Sequence, residues 1–174
     1  MSDDVARAMA HYFAREKRGA AVFVAVGTAA LAAATLVWGT GTPHRGMAVP
    51  LGVIGLLQLV VGASVFLRTD GRVVALRGRL AADAPAGRGA ERDRMRRVVA
   101  SFRVYRAIEI AMLTAGLTLL FLFPRRHPLW AAGLGCLLQG SVTLVLDRLA
   151  ERRAEAYLEA LDGAGARPSP PAPS

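Results

Sequence analysis

The sequence predicts an all-α fold, a polytopic membrane protein. Its form is a four-transmembrane-helix bundle of two parallel hairpins with cytoplasmic helical extensions. Three observations predict this. Apolar residues make up 53% of the 174, with a mean hydropathy of +0.36, and they gather in long blocks. Four of these blocks reach about 20 residues, the length that crosses a hydrocarbon core about 30 Å thick. Finally, 19 of the 22 Lys and Arg residues fall on one side of those blocks.

Residues 1–18 carry both signs of charge and are too acidic for the leading region of a signal peptide. They read as a cytoplasmic N-terminal helix with Ser2 or Asp3 as cap and Val5, Met9, Tyr12 and Phe13 to pack. His11 has no His or Cys at metal-ligand spacing, so it reads as a surface or packing residue. Residues 19–39 form the first span, free of charge, and 47–67 the second. Pro50 stands near the start of the second span, where a missing N–H is tolerated. Residues 68–103 predict a cytoplasmic helical hairpin, with Gly71 as a candidate break and "APAGRGA" at 84–90 as the turn. Its second arm puts Met95, Val98, Val99, Phe102 and Tyr105 on one face and runs into the third span, 104–123. The fourth span is 128–146. Residues 147–163 follow as a cytoplasmic C-terminal helix with Leu149, Tyr157, Leu158 and Leu161 for packing, ended by Gly163 and Gly165. Residues 164–174 predict a Pro-rich disordered tail.

Every span lacks charge at its centre, where an ionised side chain costs about 2.5–3.5 kcal/mol on insertion scales. The three cations of the minority side, Arg45, Arg125 and Arg126, lie in the hairpins "TGTPHRGM" and "PRRHP" beside His44 and His127. The positive-inside rule therefore places both termini and the central segment in the cytoplasm. Arg supplies 21 of the cations, Lys17 is the only Lys and Asn is absent, a composition that matches a GC-rich bacterial genome. The expected home is a bacterial inner membrane. Such Arg usage removes the nucleic-acid implication of a pI near 11.3. A lone Cys136 makes neither an intramolecular disulfide nor a zinc site. No catalytic motif, cofactor or metal site is apparent.

Three sets of residues stand out. Glu109 lies five residues past Val104, about 7–8 Å into the third span. Arg106 at i−3 and Arg103 at i−6 are its expected ion-pair partners, with Arg snorkelling to the headgroups. The same carboxylate is also a candidate for handling a proton or ion, or for pairing with a partner subunit. Gln58 and Gln139 stand near the middle of spans two and four. They are expected to bond each other or a backbone carbonyl, or else to line a polar path. The stripe Ala21, Ala25, Ala29 and Ala33, with Gly55, Gly62, Ala132, Cys136 and Gly140, suits close helix packing.

On the central segment, Arg94, Arg96 and Arg97 are candidates for anionic lipid headgroups. A weak internal repeat accompanies these features. An offset of 81 aligns Gly52 with Gly133 and Leu56-Leu57-Gln58 with Leu137-Leu138-Gln139. An offset of 86 brings Thr28, Ala29 and Leu31 onto Thr114, Ala115 and Leu117.

These features predict a non-enzymatic inner-membrane protein acting through helix association. It is expected to be a homo-oligomer or a subunit of a membrane complex, with the bilayer and its anionic lipids as partners and no role for nucleic acid. The alternative is a small oligomeric channel or transporter whose path is lined by Gln58, Gln139 and Glu109.

Overall fold

The computed structural model describes residues 3–39 and 43–166. Ser2, the side chains of Asp3 and Val5, and the tail 167–174 lie outside the described residues. The chain is all-helical: α1 (Asp3–Gly39), a short 3-10 helix (Pro43–Met47), α2 (Ala48–Ala82), α3 (Ala84–Leu122) and α4 (Pro128–Ala166). All four long helices are apolar enough to cross a membrane.

They run 37, 35, 39 and 39 residues. At 1.5 Å per residue that is about 52–58 Å. Each therefore overshoots a 30 Å hydrocarbon core by about 20–28 Å. The expected extensions are continuous with the spans rather than separate elements.

Proline placement explains the starts. Pro50, Pro85 and Pro128 all fall in the first turn of their helices, where an N–H has no intrahelical acceptor. The turn expected at 84–90 is instead the single residue Asp83, and "APAGRGA" forms the first turns of α3. Asp83 is extended and its Oδ1 accepts from the Ala86 N–H at 3.1 Å, so one capped residue reverses the chain. A longer turn is sterically unnecessary because Gly87 sits directly against Arg79 and Leu80. Gly71 does not break α2; it is exposed, with open space around it. At the other end His127 caps α4, its Nδ1 accepting from the Leu129 N–H at 3.1 Å. α4 continues through Ala166, past the stop expected at Gly163.

Packing changes character along the bundle. At the polar end, the start of α1, the end of α2, the start of α3 and the end of α4 enclose one apolar core. It holds Met9, Tyr12, Phe13, Leu76, Leu80, Met95, Ala154, Tyr157 and Leu161. Met95 is fully buried there, and the Tyr12 and Tyr157 rings stack at 4.5 Å. Burial holds both phenols well above the ordinary tyrosine range, so they stay neutral. Tyr105 and Leu149, expected to pack, are exposed.

Along the apolar stretches the contacts are made by small residues instead. α1 packs along α2 and α3 along α4. A Cβ on Gly27 would lie 2.6 Å from the Gly55 oxygen, and one on Gly133 would lie 2.6 Å from the Gly116 oxygen. These are backbone-to-backbone approaches that only glycine permits. One contact, though not the glycine pairs themselves, recurs in both helix pairs under the sequence offsets. Ala30 meets Gly55 and Gly116 meets Cys136, positions separated by 86 and 81.

The two glycine environments predict opposite responses. Gly27→Ala is expected to lower stability by about 1–3 kcal/mol, because both obstructing atoms are backbone. Gly71→Ala should raise it by up to about 1 kcal/mol through helix propensity alone. Thermal unfolding in mild detergent, followed by circular dichroism, checks both signs.

Candidate functional site

One row of α4 carries Gln139, Thr143, Asp147, Glu151 and Glu155 at four-residue spacing, each a turn beyond the last. It runs from the apolar interior to the polar end. The helices facing it supply Gln58 from α2, and Glu109 and Arg106 from α3.

In the interior, Gln58 is 3% exposed and donates from Nε2 to Thr143 Oγ1 at 2.9 Å. Thr143 passes the bond on to the Gln139 carbonyl at 2.8 Å. The hydroxyl thus joins the Gln58 amide to the backbone of Gln139, not to the Gln139 amide it was expected to bond. Gln58 Oε1 and Gln139 Nε2 are left buried without a partner among the described residues. Thr143 escaped the sequence reading because a threonine in a span ordinarily returns its proton to the carbonyl four residues back. It does so here as well, and its oxygen remains open to accept.

One turn further along α4, Asp147 stands against Glu109 of α3. Glu109 is 4% exposed, and its Oε1 has no hydrogen-bond partner among the described residues. The expected ion pair with Arg106 or Arg103 does not form. Arg106 crosses instead to α4 and lays Nη2 against both oxygens of Glu151, with Arg148 Nη1 3.5 Å away. The reason is geometric. Arg106 side chains lean toward the helix N-terminus, away from Glu109 and toward the polar end. Arg103 stays exposed.

The α1–α2 pair has a counterpart at the same level, where Lys17 Nζ meets Asp70 Oδ2 at 2.6 Å and lies 4.8 Å above the Phe66 ring. Asp70 and Glu151 are 81 positions apart, in line with the repeat offset. Phe23 and Phe66 occupy the places that Glu109 and Asp147 hold in the second pair. The buried carboxyls are therefore where the two pairs differ in chemistry.

The small residues divide. Gly55 and Gly62 press against α1, while Cys136 and Gly140 press against α3. On α1, however, Ala21, Ala25 and Ala29 are exposed and Ala33 is only half-buried. Ala20, Gly27, Ala30 and Ala34 face inward in their place. The helix carries small residues on two faces, and sequence spacing alone picked the outer one.

Arg94 is not available to headgroups. It makes a two-pronged bond to Glu91, Nε to Oε2 at 2.8 Å and Nη2 to Oε1 at 2.6 Å. Arg96 is 3.7 Å from Asp162, and Arg97 is exposed seven residues before the third span, about 10 Å from it. Among the described residues no group of three or more His, Cys, Asp or Glu stands together as a metal site. His11 and His44 are exposed.

The class this defines is an all-helical protein with four helices long and apolar enough to be multi-pass in a membrane. No protein-family model, curated protein or solved structure matches the chain.

Double-mutant cycles separate the observed pairs from the expected ones. Arg106 with Glu151 should couple by about 1–3 kcal/mol, as charged hydrogen bonds do, and more strongly than Arg106 with Glu109. Gln58 with Thr143 should couple by about 0.6 kcal/mol. Gln58 with Gln139 should couple less, because no direct bond joins them.

Proposed function

We propose that the chain is a non-enzymatic, multi-pass protein of a bacterial inner membrane that acts by associating with other membrane helices. A second copy of itself is the simplest occupant. Both termini and the Asp83 turn lie in the cytoplasm, and the spans form two parallel hairpins. The cation bias supports this orientation. So does the water-soluble kind of core that gathers both ends of the chain. The matched contacts of the two helix pairs support reading the second hairpin as a copy of the first.

One observation carries the association reading: the exposure of Ala21, Ala25 and Ala29 along one row of α1. Lipid tails are as apolar as any side chain, so burying apolar area does not drive helices together in a bilayer. Close backbone approach does, and small side chains permit it. Thr28 beside the row already donates to the Val24 carbonyl at 2.8 Å, so the face presents no unpaired donor to lipid. Two copies of this face meet across a two-fold axis without a further complementary surface.

In a Cys136→Ala background, Ala25→Cys should give disulfide-linked dimers when native membranes are oxidised. Leu57→Cys, on the exposed face of α2, should not. Ala25→Leu should reduce the native mass toward the monomer. A wild-type chain that is monomeric in mild detergent and retains no partner overturns the reading.

A second reading is a small oligomeric channel or transporter. The row Gln139, Thr143 and Asp147 favours it, with Gln58 and Glu109 facing that row. On this reading Gln58→Leu with Gln139→Leu alters ion flux in proteoliposomes while assembly is unchanged. Unaltered flux removes it.

A further inference from the structure

Where the polar file of α4 reaches the polar end, a groove of about 390 Å³ opens between α3 and α4. Its walls are Arg103 and Arg106 on one side and Arg148, Glu151, Arg152 and Glu155 on the other. We propose that this groove binds a phosphate group at the cytoplasmic membrane surface, of the kind an anionic phospholipid headgroup carries.

Charge is the first ground. Four guanidinium groups face two carboxylates, and the surplus is positive. Glu151 is already neutralised by Arg106 and Arg148. Arg103 and Arg152 are exposed and have no hydrogen-bond or ion-pair partner among the described residues. Their donors are committed to nothing. A planar guanidinium offers paired N–H groups that match two oxygens of a phosphate, which a lysine does not.

Depth is the second ground. Arg103 directly precedes the apolar stretch of α3, and Arg148 follows that of α4 by two residues. Arg152 is about 9 Å beyond that stretch. The groove therefore straddles the layer where headgroup phosphates lie. Val99 provides an apolar wall beside it. The Arg106–Glu151 bridge gives the groove a fixed floor, since it ties the two helices together at that level. The headgroup role expected for Arg94, Arg96 and Arg97 thus passes to Arg103 and Arg152, which sit closer to the bilayer and are unpaired.

The inference rests on the membrane reading above, and the experiment keeps the two apart. Extraction from cell membranes by detergent, but not by salt, establishes membrane residence. The purified full-length chain is then placed in neutral micelles doped with phosphatidylglycerol or phosphatidylcholine, and retained lipid is measured by native mass spectrometry. Wild type should retain phosphatidylglycerol preferentially. Arg103→Ala with Arg152→Ala should weaken that retention roughly 30-fold, about 2 kcal/mol at one surface cation each. Arg97→Ala, outside the groove, should leave it unchanged, and Glu155→Gln should strengthen it.

Competition by inorganic phosphate shows that the groove reads the phosphate. Retention of inorganic phosphate without any lipid preference supports the groove and assigns a soluble source. Equal loss in Arg97→Ala overturns the proposal, because spread surface charge then explains the binding. So does full retention of phosphatidylglycerol by the double variant in a chain that folds and stays membrane-bound.

Discussion

The close approach of backbones within each helix pair is the constraint on which the rest depends. Gly27 lies against Gly55, and Gly116 against Gly133, with no room for a Cβ between them. Inside a bilayer the apolar side chains gain little by leaving lipid, so helices are held by dispersion over short distances and by interhelical hydrogen bonds. Spacing α3 and α4 this closely brings Glu109 near Asp147 and lets Arg106 cross to Glu151. A bulkier α3–α4 interface would move both contacts out of range. The Gln58–Thr143 bond instead ties one pair to the other, α2 to α4.

The same helices pack differently beyond their apolar stretches. There large side chains carry the burial: Met9, Phe13, Met95, Tyr157 and Leu161 close one core. The transition occurs within continuous helices, with no linker to separate the two regimes. Rigid continuity of this kind couples the level of Arg106 and Glu151 to both. The ion pair stands just past the apolar stretches, where the Arg106 side chain keeps 31% exposure and the desolvation cost is lower than it would be a turn deeper.

Deeper in the bundle, polar groups are fewer and incompletely satisfied. Gln58 Oε1, Gln139 Nε2 and Glu109 Oε1 are buried without partners among the described residues. Unmet hydrogen-bonding capacity in an apolar interior is costly, and it marks where a structure does something besides pack. The three atoms lie in or against the polar row of α4; in the first helix pair Gln58 and Asp70 stand where Gln139 and Glu151 do, but Phe23 and Phe66 replace Glu109 and Asp147. The association proposed for α1 and the polar row of α4 use different residues.

Composition and spacing alone determined the class, the four helices and their approximate limits. A run of about 20 apolar residues has few outcomes other than a helix that satisfies its own backbone, and that outcome is local. Pro50 and Pro128 likewise mark helix starts by their own chemistry. Partners were beyond such reading. Arg106 has Glu109 on its own helix and Glu151 45 residues away, and only the packing of α3 on α4 decides between them. The inward face of α1 was hidden for the same reason: alanines recur on two of its faces, and periodicity does not say which one meets α2. The Asp83 turn fell between these cases, its cap legible in Asp-Ala-Pro but outweighed by the glycines that follow. Backbone satisfaction is a property of a segment, whereas pairing and facing belong to two segments at once, and no single stretch of chain contains them.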